Sequence, residues 1–156
     1  MQEDLLHIFY NDQPPNGAAK DSDGHSKGII LANENGGIWI LHSVPHFPLL
    51  EKNYGYPSAG LRNGQVFFCL SLNKSQIDGI GNILMYTRPN IYNFSLPNTM
   101  KKIFPTLAKV VNKERVRNPP WNYFTNLNVG NVDGSVLSLS AFTKGPKFQR
   151  GKKHIA

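Results

Sequence analysis

Short apolar runs separated by polar, proline-rich or glycine-rich stretches predict the elements of this chain. Residues 5–10, LLHIFY, read as a strand that stops at the turn Asn11-Asp12-Gln13-Pro14-Pro15, where two prolines end any ladder. His7 within it is expected to be a half-buried core histidine. Two β-rich runs then flank Asn35-Gly36, the strongest short-range hairpin signal. Both runs are apolar on both faces: Ile29 and Leu31 alternate with Ile30 and Ala32, and Ile38 and Ile40 with Trp39 and Leu41. Strands covered on both sides sit centrally in a sheet, which predicts an α/β fold, a layered sheet with helices on both faces. Residues 66–72 read as another buried strand. Ile77, Ile80 and Leu84 recur at helical spacing behind Asn73 and Ser75, either of which can cap. Residues 86–94 read as extended, and 99–112 as a helix in two pieces broken at Pro105, with Ile103, Leu107, Val110 and Val111 inward. A Pro-Pro turn at 118–121 precedes a strand over 136–142.

The hairpin also carries candidate chemistry. His25 and Lys27 lie two apart at its start and share a face; His42 closes its return. A two-residue turn at Asn35-Gly36 pairs Lys27 with Val44, whereas a four-residue loop over 33–36 pairs Lys27 with His42. Both put His25, Lys27 and His42 on one face, and an odd loop would turn His42 away. Two imidazoles and an ammonium on one face could bind a phosphate and shuttle a proton; ordinary solvated polar residues at a strand end are the other reading. Gly24 and Gly28 around the His-Ser-Lys allow close backbone approach, to a ligand or in packing. His46 falls in the following loop and is expected to be exposed.

Charge narrows the partners. Seventeen Lys and Arg against ten Asp and Glu give a formal +7, which favours an anionic partner such as nucleic acid. Arg62 beside Tyr54 and Tyr56, and the cluster Lys101, Lys102, Arg115 and Arg117, are the candidate DNA-contacting cations; a solvated surface explains such runs equally. No His/Cys/Asp/Glu cluster has metal-ligand spacing. Apolar runs are too short for a transmembrane helix, so no membrane partner is expected. The start MQEDLLHIFY lacks the basic and apolar regions of a signal peptide, and the single Cys69 excludes an intrachain disulfide.

GHSKG, the return GGIWILHSVPHFP and the earlier YNDQPP resemble the deoxyribonuclease II family, as do GQVFFCLSL, YTRPNIYNF and SAFTKGPKF further on. The matches are collinear from Tyr10 to Phe148. The resemblance implies part of one phospholipase-D-like half-domain over residues 1–148, followed by a basic disordered tail over 149–156. It implies an acid, metal-independent and cofactor-free endodeoxyribonuclease that hydrolyses DNA through a phosphohistidine and leaves 3′-phosphates. His25 and Lys27 match the first HxK motif of that superfamily, and His42 matches a further active-site position. One imidazole would attack phosphorus, the other would protonate the leaving oxygen, and Lys27 would neutralise the phosphate. Family members resemble lysosomal or secreted proteins with several disulfides, from which this chain departs. The second HxK of the family is missing. A homodimer could bring two copies of His25 together, or His42 could serve as acid; otherwise the chain is an inactive DNA-binding protein or an incomplete fragment.

Overall fold

In a computed structural model of the chain, the structure describes residues 5–19, 22–50, 55–130 and 135–148. The expected tail over 149–156 lies outside the described residues. Strands β1 (Leu6–Asn11), β2 (Lys27–Asn33), β3 (Gly36–His42), β4 (Phe67–Asn73) and β5 (Ile91–Ser95) form one sheet in the order β4-β3-β2-β1-β5. All its pairings are antiparallel. Helix α1 (Lys74–Thr87) follows β4, and two short helices, α2 (Asn98–Ile103) and α3 (Pro105–Val111), follow β5. A separate ribbon joins β6 (Asn122–Gly130) to β7 (Val136–Lys144).

The mixed α/β class is as expected, with its layers distributed unevenly. Leu6, Ile8, Tyr10, Ile30, Ala32, Trp39, Leu70 and Leu72 share one sheet face and are buried. Against them pack Ile77, Ile80 and Leu84 of α1, and beyond α1 lie Leu107 and Val110 of α3. Asp78 of α1 accepts the Thr106 and Leu107 amides at 2.8 and 3.0 Å, so α3 is capped by the helix on which it rests. The opposite sheet face carries Phe9, Ile29, Leu31, Ile38 and Ile40, and among the described residues the helices cluster away from it.

The hairpin turns at Glu34-Asn35, with Asn33 opposite Gly36 and Gly28 opposite Leu41. The Asn33 side chain accepts the Asn35 amide at 3.0 Å, an Asx-turn that centres the bend one residue before Asn-Gly. The resulting register continues to Lys27 opposite His42, as in the longer of the two even-loop alternatives. Asn73 is the N-cap of α1 and accepts the Gln76 amide. That helix runs to Thr87 and is closed by Arg88 at φ 56°, so the extended stretch expected from 86 begins only at Ile91. Strand β6 is not among the elements expected above. Its three asparagines interrupt the strand formers Tyr123, Phe124, Thr125 and Val129, and the ribbon partner and the cover of Leu127 against α1 complete the strand.

Gly28 shows what the glycines of this region do. A Cβ there would run into the Tyr10 phenol and come within 2.7 Å of the Ile40 carbonyl. Tyr10 is fully buried and its hydroxyl accepts from Trp39 Nε1 at 3.0 Å, so the ring cannot yield. Gly28→Ala is therefore expected to cost about 3 kcal/mol, at the upper end of overpacking penalties. A urea denaturation midpoint equal to the parent's would refute this. Gly24 is likewise a packing glycine, its Cβ position being occupied by the Thr87 carbonyl.

Candidate active site

The first two residues of the site are brought together by a third that the turn composition concealed. Asp12 follows β1 in the polar turn and reaches across to the start of β2. Its Oδ2 meets His25 Nδ1 at 2.7 Å, and its Oδ1 accepts from Lys27 Nζ at 2.5 Å. One carboxylate thus holds both members of the HxK. The YNDQPP segment was the available signal for it. Burial pushes the Asp12 carboxyl upward, but the hydrogen bonds and charges of Lys27 and His25 outweigh this and hold it below the ordinary range.

The turn carrying Asp12 is itself locked. Asn11, with no exposed surface, donates from Nδ2 to the Val44 and Phe47 carbonyls at 3.1 and 3.0 Å. Its Oδ1 accepts the Gln13 amide, while Asn90 donates to its carbonyl at 2.9 Å. His46, expected to be exposed, is instead partly buried at φ 59°, with Nδ1 3.0 Å from the Pro14 carbonyl and its amide on that of Gln13. The loop after β3 therefore buttresses the Asp12 turn from behind. His7 is half-buried as expected, its Nε2 2.7 Å from Asn93 Oδ1.

The three predicted site residues differ in accessibility. His25 has a side chain 86 % exposed, and Lys27 one only 6 % exposed. With Nδ1 engaged by Asp12, the free Nε2 of His25 is the atom presented outward. His42 is 9 % exposed, and neither ring nitrogen has a hydrogen-bond partner. Phe67 stacks on its ring at 5.7 Å and Phe47 meets it edge-on at 5.6 Å. Burial first, then the Lys27 ammonium, lowers its pKa to about 4; the nearby Val44 backbone opposes this weakly without reaching hydrogen-bond geometry. Near pH 5 this imidazole is mainly neutral.

The candidate DNA-contacting cations are spread over several elements. Arg62 follows the short 3₁₀ turn Ser58–Leu61, and Lys101 and Lys102 lie in the last turn of α2. Arg115 is tied to the site loop through Asp23, 3.4 Å away and two residues before His25. Arg117 is exposed beyond α3.

A family model described as deoxyribonuclease II matches residues 1–151. Plancitoxin-1 of Acanthaster planci is 39 % identical over 147 residues, covering 92 % of this chain and 40 % of that protein. Deoxyribonuclease-2-alpha of Rattus norvegicus is 40 % identical over 123 residues, covering 76 % and 35 %, and that of Sus scrofa is 37 % identical over 149 residues, covering 92 % and 40 %. The chain spans about two fifths of the length of these curated relatives.

Proposed function

Because the chain belongs to the deoxyribonuclease II family, we propose that it carries the nucleophilic half of an acid, metal-independent endodeoxyribonuclease site. The observation that supports this reading is the single carboxylate of Asp12 holding both His25 and Lys27. A histidine attacks phosphorus only through a nitrogen bearing a free lone pair. Fixing Nδ1–H on Asp12 selects the tautomer with that lone pair on Nε2, the exposed atom. Attack by Nε2 forms the N–P bond and breaks the bond from phosphorus to O5′, so the 3′-phosphoryl stays on His25. Water then cleaves the phosphohistidine and releases a 3′-phosphate. Lys27, held close by Asp12, offsets the negative charge on the phosphoryl oxygens in both steps. Asp12 is a positioning residue in this scheme.

The O5′ leaving group needs a proton. His42 is poorly suited to give it, being buried and neutral at acid pH. The donor is then a second histidine facing His25, and a second copy of the chain across a two-fold axis would present one. The same dimer would place two ammonium groups around one phosphate. Action on DNA is the reading that the family and the basic surface support, with a lysosomal or secreted location, of which the lysosomal one would supply the acid pH.

The test is nicking of supercoiled plasmid at about pH 5 in EDTA by the whole chain, with His25→Ala beside it. Nicking by the parent and its loss by a factor of about 10⁴ or more in His25→Ala is the expected result, the scale for removal of a nucleophile. Equal nicking by both proteins refutes the assignment of His25. Its absence from both folded proteins leaves the second reading, a DNA-binding relative without catalysis.

A further inference from the structure

Two cavities are lined by the chain neighbours of His25. Ser26, on one side of it, lines a groove of about 390 Å³ between β3 and β4, the C-terminal half of α1, and β7. Gly24, on the other side, lines a second cavity of about 270 Å³, and Thr87 belongs to both. The two differ in chemistry. The walls of the larger are mainly apolar, with Leu41, Phe68 and Phe142 among them, and both phenylalanines are about half-exposed there. The smaller has Lys144 and Arg88 in its wall, and the Nε of Arg88 is buried without a hydrogen-bond partner.

A buried polar atom beside the groove is unsatisfied. Thr143 is 6 % exposed, lines the groove, and its Oγ1 has no hydrogen-bond partner. A buried hydroxyl left unpaired costs free energy, so such groups mark places where a ligand or water completes the bond. A groove that is apolar and aromatic, carries one hydroxyl and adjoins a cationic cavity suits a planar heterocycle attached to a phosphate. Its volume accommodates a nucleoside.

We infer that the groove between β4, α1 and β7 holds one unstacked nucleotide of the bound DNA strand, with its base beside Phe68 and Phe142 and its phosphate toward Lys144. This rests on the nuclease reading above and adds to it the position of the nucleotide next to the one attacked at His25. The base contributes through its flat face and through a hydrogen bond with Thr143, so binding depends on a base being present and only secondarily on which base. It also requires a strand whose bases can leave the stack, and single-stranded or frayed DNA meets that need at lowest cost.

The experiment is fluorescence anisotropy at pH 5 in EDTA with the full His25→Ala chain and two labelled ten-nucleotide single strands. One is oligothymidylate and the other is fully abasic, with the same phosphates. Oligothymidylate is expected to bind at least about tenfold tighter, the scale of one stacked base. Ala141→Trp, which fills the groove from β7, is expected to abolish that preference while leaving abasic binding unchanged. Thr143→Val, nearly isosteric, is expected to reduce it about fivefold, the scale of one hydrogen bond. Equal binding of the two strands by the His25→Ala chain overturns the inference, and this comparison needs no groove variant to fold. A preference that survives in folded Ala141→Trp overturns it too. Nicking of plasmid by the parent is a separate readout: base-independent binding with nicking sinks the subsite alone, and base-dependent binding without nicking sinks the nuclease reading alone.

Discussion

Asp12→Ala is expected to destabilise the chain by about 3–5 kcal/mol, the range for breaking a buried ion pair from one side. Its partner Lys27 has a side chain 6 % exposed, and removal of the carboxylate leaves that ammonium out of water without its anion. The pH dependence has a definite sign. The folded-state pKa of Asp12 is depressed, so its contribution is fully present above the ordinary carboxylate range and is lost as pH falls through the folded value. The gap between parent and variant should therefore stay constant from neutral pH down to about 5 and close only below about 4. Urea denaturation followed by tryptophan fluorescence at pH 7, 5 and 3.5 measures it. A gap under about 1 kcal/mol at pH 7 would mean that Lys27 finds water or another acceptor. Asp12→Asn separates stability from chemistry. It keeps the volume and one acceptor oxygen, so the fold should survive better. It no longer enforces the His25 tautomer, so nicking should fall on the order of 10³–10⁴-fold, as when an orienting carboxylate is lost from a catalytic histidine.

His42→Leu should make the protein more resistant to acid. In the folded chain His42 stays neutral down to about pH 4, whereas in the unfolded chain it binds a proton near 6.5. The folded-state pKa is depressed, so the unfolded state gains the proton first. Stability is lost as pH falls from about 6.5 towards 4, by up to about 3 kcal/mol. Leucine has no such proton and fits the cage of Phe47 and Phe67. The drop in unfolding free energy between pH 7 and 4.5 should be about 2–3 kcal/mol smaller in the variant than in the parent. Equal drops would show that the ring is hydrated. The same variant tests the proton donor: nicking within about tenfold of the parent fits a donor other than His42, and its loss in a folded sample would give His42 that role.

Much of this was legible in the sequence, for physical reasons. Side chains alternate along strands, so the hairpin put Lys27 and His42 on one face under either even loop, and the register came out as one of the two alternatives. The two-piece helix around Pro105 was equally clear, because proline can begin a helix and cannot continue one. Asp12 was hidden because aspartate before two prolines is ordinary turn composition, and its role depends on a side chain 13 residues later. The dryness around His42 was hidden too. It comes from Phe47 and Phe67, and local pattern does not show which loop folds over which strand. Strand β6 escaped because asparagine carries little strand preference, and its partner lies in β7.

The site residues lie close together along the chain, which bears on the order in which the site is built. Asp12, His25, Lys27 and His42 come from two consecutive connections, each closing a loop of modest length. The entropy spent in bringing them together is therefore small beside that of a contact between distant segments. The surroundings that give these groups their character arrive from further along. Phe67 shields His42 from β4, and Asn90 locks Asn11 across 79 residues. During synthesis Asp12, His25 and Lys27 come within reach as soon as β2 pairs with β1, in a wet setting where an ion pair is worth little. The later strands then dry it.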